Sequence, residues 1–264
     1  MSRISQRFSV LKDKGRAGLV TFITGGDPHD SSSRAILNSL PSWGADIIEL
    51  GMPFSDPMAD GPAIQEATIR ALKAGAHLQQ ILDQAADFRK NDNDTPLILM
   101  GYFNPVYAYG VDKFVTNAKE AGVDGLIIVD LPPEEDAELS IPARKAGLDI
   151  IRLVTPTTDD ARLDTILEGA SGFIYYVSIT GITGTATANV ERVAKHLDQI
   201  RKKTSLPIAV GFGISTPQDV KDMASFADAV VVGSALVRTI GGIDGGTKTM
   251  AELEQQVKAL SAAL

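Results

Sequence analysis

The sequence IIELGMPFSDPMADG, residues 47–61, joins an apolar strand to a loop rich in Gly, Pro and Asp. Its large aliphatic residues predict a buried parallel strand, but Glu49 lies among them. A carboxylate there is costly unless it is paired, neutralised or needed for function. Asp56 and Asp60 follow in the loop, where acids commonly cap turns and helices. The stretch predicts a strand that carries either a solvent-facing Glu or a functional one.

Seven further apolar runs alternate with amphipathic, helix-like segments along the chain. With the first stretch they give eight predicted strands, which begin near Leu19, Ala45, Pro96, Asp124, Leu148, Gly172, Leu206 and Asp228. An additional N-terminal helix is predicted from the spacing of Ile4, Phe8 and Leu11. Eight strand and helix units without a linker indicate a single (β/α)₈ TIM barrel, one α/β domain over residues 1–264. The rival doubly wound sheet lacks its usual glycine fingerprint after the first strand.

Composition excludes several kinds of partner and chemistry. The 264 residues carry a net charge of −8 with scattered Lys and Arg, so neither nucleic acid nor an anionic membrane is an expected partner. The absence of cysteine excludes disulfides and thiolate chemistry. Because no signal core or membrane-length apolar run is found, we expect a cytoplasmic protein. His29, His77 and His196 are too dispersed for a local metal motif, so no metal is predicted.

Glycine-rich segments follow the last three predicted strands, at residues 178–189, 211–215 and 233–237. Glycine allows backbone N–H groups to approach an anion, and the start of a helix adds its dipole. TIM barrels often bind phosphate after strands seven and eight. Because these segments contain no Lys or Arg, they predict a phosphate site built from backbone N–H groups, with simple tight turns as the alternative. Residues 241–246, GGIDGG, are instead predicted to form a flexible connection before the last helix.

Several motifs together resemble the tryptophan synthase alpha chain family. The most specific is ELGMPFSDPMADGP at residues 49–62, and MGYFNP, VDLPPEE, GITGT, GFGIS and GSALV follow in the family's order. The resemblance covers nearly the whole chain. It implies a lyase of L-tryptophan biosynthesis that cleaves indole-3-glycerol phosphate to indole and glyceraldehyde 3-phosphate. It also implies an α₂β₂ assembly, in which a beta chain that carries pyridoxal phosphate joins the indole to serine, and no cofactor in this chain.

The chemistry of this cleavage needs two acids with different roles. Indole C3 must gain a proton while the adjacent side-chain hydroxyl loses one, and positive charge develops toward the indole nitrogen. The resemblance implies that Glu49 handles these protons and that Asp60 hydrogen-bonds the indole N–H. A carboxyl buried among apolar residues has a raised pKa, whereas a loop carboxylate stays ionised, so the two positions suit these roles.

The resemblance also implies a set of substrate-binding residues. Those expected to line the indole slot are Phe22, Met100, Tyr102, Ile127 and Phe212, with Tyr175 close to the reacting centre. Those expected to offer N–H groups to the phosphate are Gly184, Gly213, Gly233 and Ser234. Thr183 is expected to close over the substrate and meet Asp60.

The implied partner interface lies in the loop after the second strand, at Pro53, Asp56 and Pro57. Asp130 is expected to have a structural or interface role instead of a catalytic one. One position departs from the family pattern: some relatives have a basic residue where this chain has Ile179. An ion pair that closes the loop is therefore not expected from that position.

Three alternatives stay open at the level of sequence. Another phosphosugar enzyme on the same barrel, such as indole-glycerol-phosphate synthase, is expected to need a catalytic lysine, and no predicted strand contains one. A stand-alone lyase would release free indole regardless of a beta chain. A non-catalytic barrel would only bind ligand and activate its partner, but it would not need both Glu49 and Asp60.

Overall fold

The computed structural model describes residues 2–178, 186–211 and 213–264, with backbone only for 186–189. Within these residues, nine parallel strands form one sheet. The strands are β1 Gly18–Thr24, β2 Ile47–Gly51, β3 Leu97–Gly101, β4 Gly125–Ile128, β5 Asp149–Ile150, β6 Arg152–Val154, β7 Ile174–Val177, β8 Ile208–Gly211 and β9 Ala229–Val232.

Helices surround this sheet, and most of them connect successive strands. They are α1 Arg3–Asp13, α2 Asp30–Trp43, α3 Pro62–Lys73, α4 Leu78–Arg89, α5 Phe103–Tyr109, α6 Val111–Glu120, α7 Ala137–Lys145, α8 Asp160–Leu167, α9 Ala186–Arg201, α10 Pro217–Ala224, α11 Ser234–Asp244 and α12 Met250–Ser261. A short 3₁₀ helix spans Pro133–Glu135. The helices pack on the outward-facing strand residues, and each large aliphatic side chain buried there contributes about 1.5–3 kcal/mol.

The sheet closes on itself at the fifth predicted strand. Hydrogen-bonded neighbours follow the order β5, β4, β3, β2, β1, β9, β8, β7, β6, so the two end strands are consecutive in the chain. Only Ile151 separates them, and its N–H donates to the Leu126 carbonyl at 3.0 Å. The predicted TIM barrel is confirmed, and the ninth strand arises because the fifth is divided in two.

The N-terminal helix covers the amino-terminal end of the barrel. Ile4, Phe8 and Leu11 of α1 belong to the cluster of side chains that fills the barrel interior. The rings of Phe8 and Phe173 are 5.8 Å apart, and a Cβ on Gly18 would lie 2.7 Å from Leu11 Cδ1. The predicted extra helix is thus confirmed, and it leaves the carboxyl ends of the strands as the place for a site.

Three local predictions differ from the structure. Helix α5 was not predicted, because the Asn-Pro pair at 104–105 is typical of a turn. The sequence from Pro133 to Ala146 predicts one helix, but the structure splits it at Asp136 into the 3₁₀ helix and α7. The flexible connection predicted for residues 241–246 is wrong, because α11 continues to Asp244. There Gly242 permits close packing, since a Cβ would lie 2.6 Å from Lys248 Cγ.

Candidate active site

Glu49 is a buried carboxyl inside the barrel. It occupies the third position of β2, in register with Phe22 of β1 and Ile98 of β3, while its neighbours Ile48 and Leu50 face the helices. The side chain is 0% exposed, and neither carboxyl oxygen has a hydrogen-bond partner among the described residues. Burial raises the pKa of Glu49 from 4.5 to about 8. The solvent-facing alternative is therefore wrong, and Glu49 is largely protonated at neutral pH.

This raised pKa predicts a pH-dependent cost to stability. The folded chain holds a proton on Glu49 that the unfolded chain loses between pH 4.5 and about 8, so the free energy of unfolding falls as pH rises through this range. The total loss of unfolding free energy is about 5 kcal/mol at most and is reached above pH 8. We expect the stability of Glu49→Gln relative to the unchanged chain to rise with pH from 5 to 8.5 in urea unfolding. A difference that stays constant over this range would contradict the assignment.

Tyr175 lies near Glu49 within the barrel. Its side chain is buried, and burial raises its pKa, with the charge of Glu49 as a smaller contribution. The Tyr175 ring packs directly against Gly211 of β8. A side chain at position 211 would not fit, because its Cβ would lie 2.7 Å from Tyr175 Cζ. Tyr175 is therefore a neutral hydroxyl close to the buried carboxyl.

Asp60 lies at the end of the loop after β2, just before α3. The Tyr102 hydroxyl hydrogen-bonds its carboxylate and accepts a hydrogen bond from the Ala59 N–H at 3.0 Å. Burial raises the pKa of Asp60, and the hydrogen bond from Tyr102 offsets part of this rise. Asp60 is therefore a partly buried carboxylate held by Tyr102, not the freely solvated loop acid that its sequence position suggests.

A small cavity at the carboxyl ends of β1 to β4 brings several predicted residues together. It is lined by Phe22, Thr24, Gly51, Met52, Asp60, Ile64, Thr68, Met100, Gly101, Tyr102 and Val129. Gly51 is needed for close packing, since a Cβ there would lie 2.7 Å from Phe22 Cζ. The sequence reasoning missed Thr24, although it continues the inward alternation of Val20 and Phe22 along β1. Its hydroxyl is buried without a partner among the described side chains and backbone groups.

The structure describes only some of the remaining predicted substrate residues, and none of them lines the small cavity. Ile127 is fully buried inside the barrel, but it does not line the small cavity. A Cβ on Gly233 would lie 3.2 Å from Phe22 Cβ, and Ser234 begins α11, so these two lie beside the cavity wall. Gly213 has a φ of +78°, as a tight turn requires. Thr183, Gly184 and Phe212 lie outside the described residues, as does Ile179.

The loop predicted to contact a partner is accessible at the same end of the barrel. Asp56 is exposed and accepts a hydrogen bond from the Ser55 hydroxyl at 2.6 Å, while Pro53 and Pro57 are half-buried. Met58, next in the loop, is 74% exposed. Asp130 accepts a hydrogen bond from the Phe103 N–H at 2.8 Å, which is a structural role at the start of α5.

Two further observations on the described part of the chain concern metal ions and membranes. No group of three or more His, Asp or Glu residues there is arranged to hold a metal ion. No helix in the same residues is long and apolar enough to cross a membrane.

Comparison with known proteins identifies the family to which this barrel and its acidic loop belong. The family model described as tryptophan synthase alpha chain matches residues 8–264. The chain belongs to the tryptophan synthase alpha chain family. The tryptophan synthase alpha family assignment confirms the predicted reaction, the cleavage of indole-3-glycerol phosphate to indole and glyceraldehyde 3-phosphate by a lyase of tryptophan biosynthesis. It also excludes the predicted alternative of a different phosphosugar enzyme.

Solved structures of tryptophan synthase agree with this assignment. The alpha subunit from Legionella pneumophila str. Paris is 39% identical with a TM-score of 0.92, over 100% of this chain and 98% of that one. Tryptophan synthase from M. tuberculosis in its open form is 30% identical with a TM-score of 0.90, again over 100% and 98%. Both structures cover the full length of this chain, including β2 and the loop that carries Asp60.

Proposed function

We propose that this chain is the alpha subunit of a tryptophan synthase in which Glu49 and Asp60 carry out the cleavage of indole-3-glycerol phosphate. The observation that supports these roles best is the state of Glu49: it is fully buried, free of hydrogen-bond partners among the described residues, and raised in pKa to about 8. Such a carboxyl can donate a proton at neutral pH and take one back. The chain forms a single TIM-barrel domain over residues 1–264.

Glu49 moves the two protons that the cleavage requires. In its protonated form it gives a proton to indole C3, which produces an indolenine with positive charge toward the ring nitrogen. The resulting carboxylate then takes the proton of the adjacent side-chain hydroxyl as the carbon–carbon bond breaks, so the aldehyde forms and indole is released. Since no charged partner among the described residues holds Glu49 in one state, both forms are accessible near neutral pH.

Asp60 stabilises the charge that develops at the indole nitrogen. The Tyr102 hydroxyl hydrogen-bonds its carboxylate, which fixes one oxygen and leaves acceptor capacity for the indole N–H. An anion already placed next to the developing positive charge lowers the activation free energy of the cleavage, because the site needs little reorganisation during the reaction. The family resemblance assigns contact with Asp60 to Thr183, which lies outside the described residues.

The other substrate contacts follow from the walls of the site. Phe22, Met100 and Tyr102, which line the small cavity, offer apolar surfaces to the indole ring. The family resemblance adds Ile127, Tyr175 and Phe212 to this set. The N–H groups at Gly213, Gly233 and Ser234, with Gly184, bind the phosphate, and the start of α11 adds its dipole. The indole therefore lies toward β1 to β4 and the phosphate toward β8 and β9.

The partner of this chain is a beta chain in an α₂β₂ assembly. Exposed Asp56 and Met58, flanked by Pro53 and Pro57, form the contact surface on the loop after β2. Because this loop also carries Asp60, the partner can influence the site directly. The chain itself uses no cofactor, pyridoxal phosphate belongs to the beta chain, and the assembly is cytoplasmic.

Indole release from indole-3-glycerol phosphate, measured with and without a beta chain, tests this function. Slow cleavage by the chain alone and a large increase with the partner are expected. A high rate that the beta chain does not change would favour the stand-alone lyase. Activation of the beta chain without any indole release would favour the non-catalytic barrel. Circular dichroism verifies in each case that the chain is folded.

A further inference from the structure

One arginine joins three of the elements that surround the candidate site. Arg70 lies near the end of α3, and its Nε and Nη2 donate to the two carboxylate oxygens of Asp27 at 2.8 and 2.9 Å. Asp27 is buried in the loop directly after β1. A paired contact of this kind fixes the direction of the guanidinium as well as its distance. Arg70 therefore holds α3 in one orientation on the loop after β1.

The same guanidinium also packs against α11. A Cβ on Gly241 of that helix would lie 3.0 Å from each of Arg70 Cζ, Nη1 and Nη2. A point at equal distances from these three atoms lies above the guanidinium plane, so the flat face of Arg70 rests on Gly241. The charge of Asp244, at the end of α11, adds to the attraction. Arg70 is thus the polar contact between α3 and α11.

The two helices that Arg70 joins belong to different halves of the site. Helix α3 supplies Ile64 and Thr68 to the small cavity, whereas α11 begins at Ser234, where the phosphate is proposed to bind. Between these points, Ala67 of α3 and Val237 of α11 are fully buried in one apolar cluster. The separation of α3 and α11 therefore sets the distance from the small cavity to the phosphate site.

Arg70 and Gly241 extend this apolar contact along both helices. Arg70 follows Ala67 by three positions and Gly241 follows Val237 by four, so each pair lies on one face of its helix. Two contacts about one turn apart fix the angle between two helices as well as their distance. Arg70 is not among the side chains that line the small cavity, so any effect on the ligand acts through the helices.

We propose that Arg70 is a positioning residue for a ligand that spans both halves of the site. By holding α3 against α11 and Asp27, it matches the spacing of the indole slot and the phosphate site to the length of the substrate. The inference rests on the proposed function, since it needs a ligand with an indole at one end and a phosphate at the other. The advantage of joining two binding groups is lost when the spacing does not match, whereas each group alone binds as before.

A spanning ligand and one of its fragments test this proposal. Indole-3-propanol phosphate keeps the indole and the phosphate of the substrate but lacks the hydroxyl that cleavage requires, so calorimetry measures its affinity without turnover. Inorganic phosphate, followed by ³¹P NMR, is the fragment. Arg70→Lys keeps the charge but loses the paired contact and the flat face. We expect it to lower the affinity for indole-3-propanol phosphate about tenfold and to leave that for inorganic phosphate within about twofold.

Two further variants accompany this measurement. Lys73→Arg makes the reverse exchange at an exposed position of α3 and should change neither affinity. Gly241→Ala gives a second test if Arg70→Lys does not fold, because alanine favours the helix while its Cβ presses on Arg70. It should lower the affinity for indole-3-propanol phosphate about threefold, as a small misplacement does. In an Arg70→Lys background this loss should disappear, since both changes act through one contact.

Three results would overturn the proposal, and they differ in what else they overturn. An unchanged affinity for indole-3-propanol phosphate in folded Arg70→Lys and Gly241→Ala would remove the positioning role alone. An equal loss of affinity for inorganic phosphate would also remove it, because Arg70 would then act on the phosphate site itself. No binding of indole-3-propanol phosphate by the unchanged chain would overturn both this proposal and the proposed function.

Discussion

Glu49→Gln is expected to lower the rate of indole release by about 10²- to 10⁴-fold at neutral pH. Glutamine has nearly the same shape as protonated glutamate, so it fits the same buried position between Phe22 and Ile98 in the strand register. It cannot transfer a proton to indole C3 or remove one from the hydroxyl. The Michaelis constant should change little, because Glu49 acts on the transition state more than on bound substrate.

Glu120→Gln is a matched control for this loss, since Glu120 is an exposed acid at the end of α6. Its rate of indole release should equal that of the unchanged chain. The rates are measured by following indole formation from indole-3-glycerol phosphate with and without a beta chain. If Glu49→Gln kept its rate within about threefold, a margin far below the usual effect of general acid/base catalysis, Glu49 would not be the group that moves the protons.

Asp60→Asn is expected to lower the same rate by about 10²- to 10³-fold. Asparagine preserves the size of the side chain and can still accept a hydrogen bond from Tyr102. It loses the negative charge that stabilises the indolenine. The effect should therefore fall on the turnover rate, and it should be smaller than or similar to the effect of removing the proton-transfer group.

A neutral replacement at a remote acid separates this effect from a change in overall charge. Asp94→Asn serves for this purpose, because Asp94 is exposed and lies before β3, at the amino-terminal end of the barrel. It should release indole at the rate of the unchanged chain. Equal rates for Asp60→Asn and Asp94→Asn would mean that Asp60 does not stabilise the developing charge.

The architecture could be predicted because each strand combines an apolar run with a following amphipathic helix. This pattern fixes the parallel barrel without knowledge of distant contacts. The division of the fifth strand at Ile151 could not be predicted in this way, since it depends on the pairing of β4 and β7 with separate pieces of one segment. The continuation of α11 through Gly241 and Gly242 was also missed, because it depends on packing against Lys248 and not on local propensity.

The candidate site shows the same division between local and non-local information. Glu49 stands out in the sequence as a carboxyl within an apolar strand, and the inward direction of its side chain follows from strand alternation. The partial burial of Asp60 does not follow from the loop sequence, because it depends on Tyr102 after β3. The place of Thr24 in the lining of the small cavity likewise requires the folded neighbours, since its strand segment looks ordinary in isolation.

The pKa of Glu49 is the quantity that tests the central claim most directly. Carboxyl ¹³C NMR of glutamate-labelled chain, with the Glu49 signal identified by its loss in Glu49→Gln, measures it as a function of pH. Its full burial, without a hydrogen-bond partner among the described residues, predicts a titration midpoint at about 8. A midpoint near the ordinary value of 4.5 would contradict the claim, because Glu49 would then be ionised at neutral pH and could not supply the proton to indole C3.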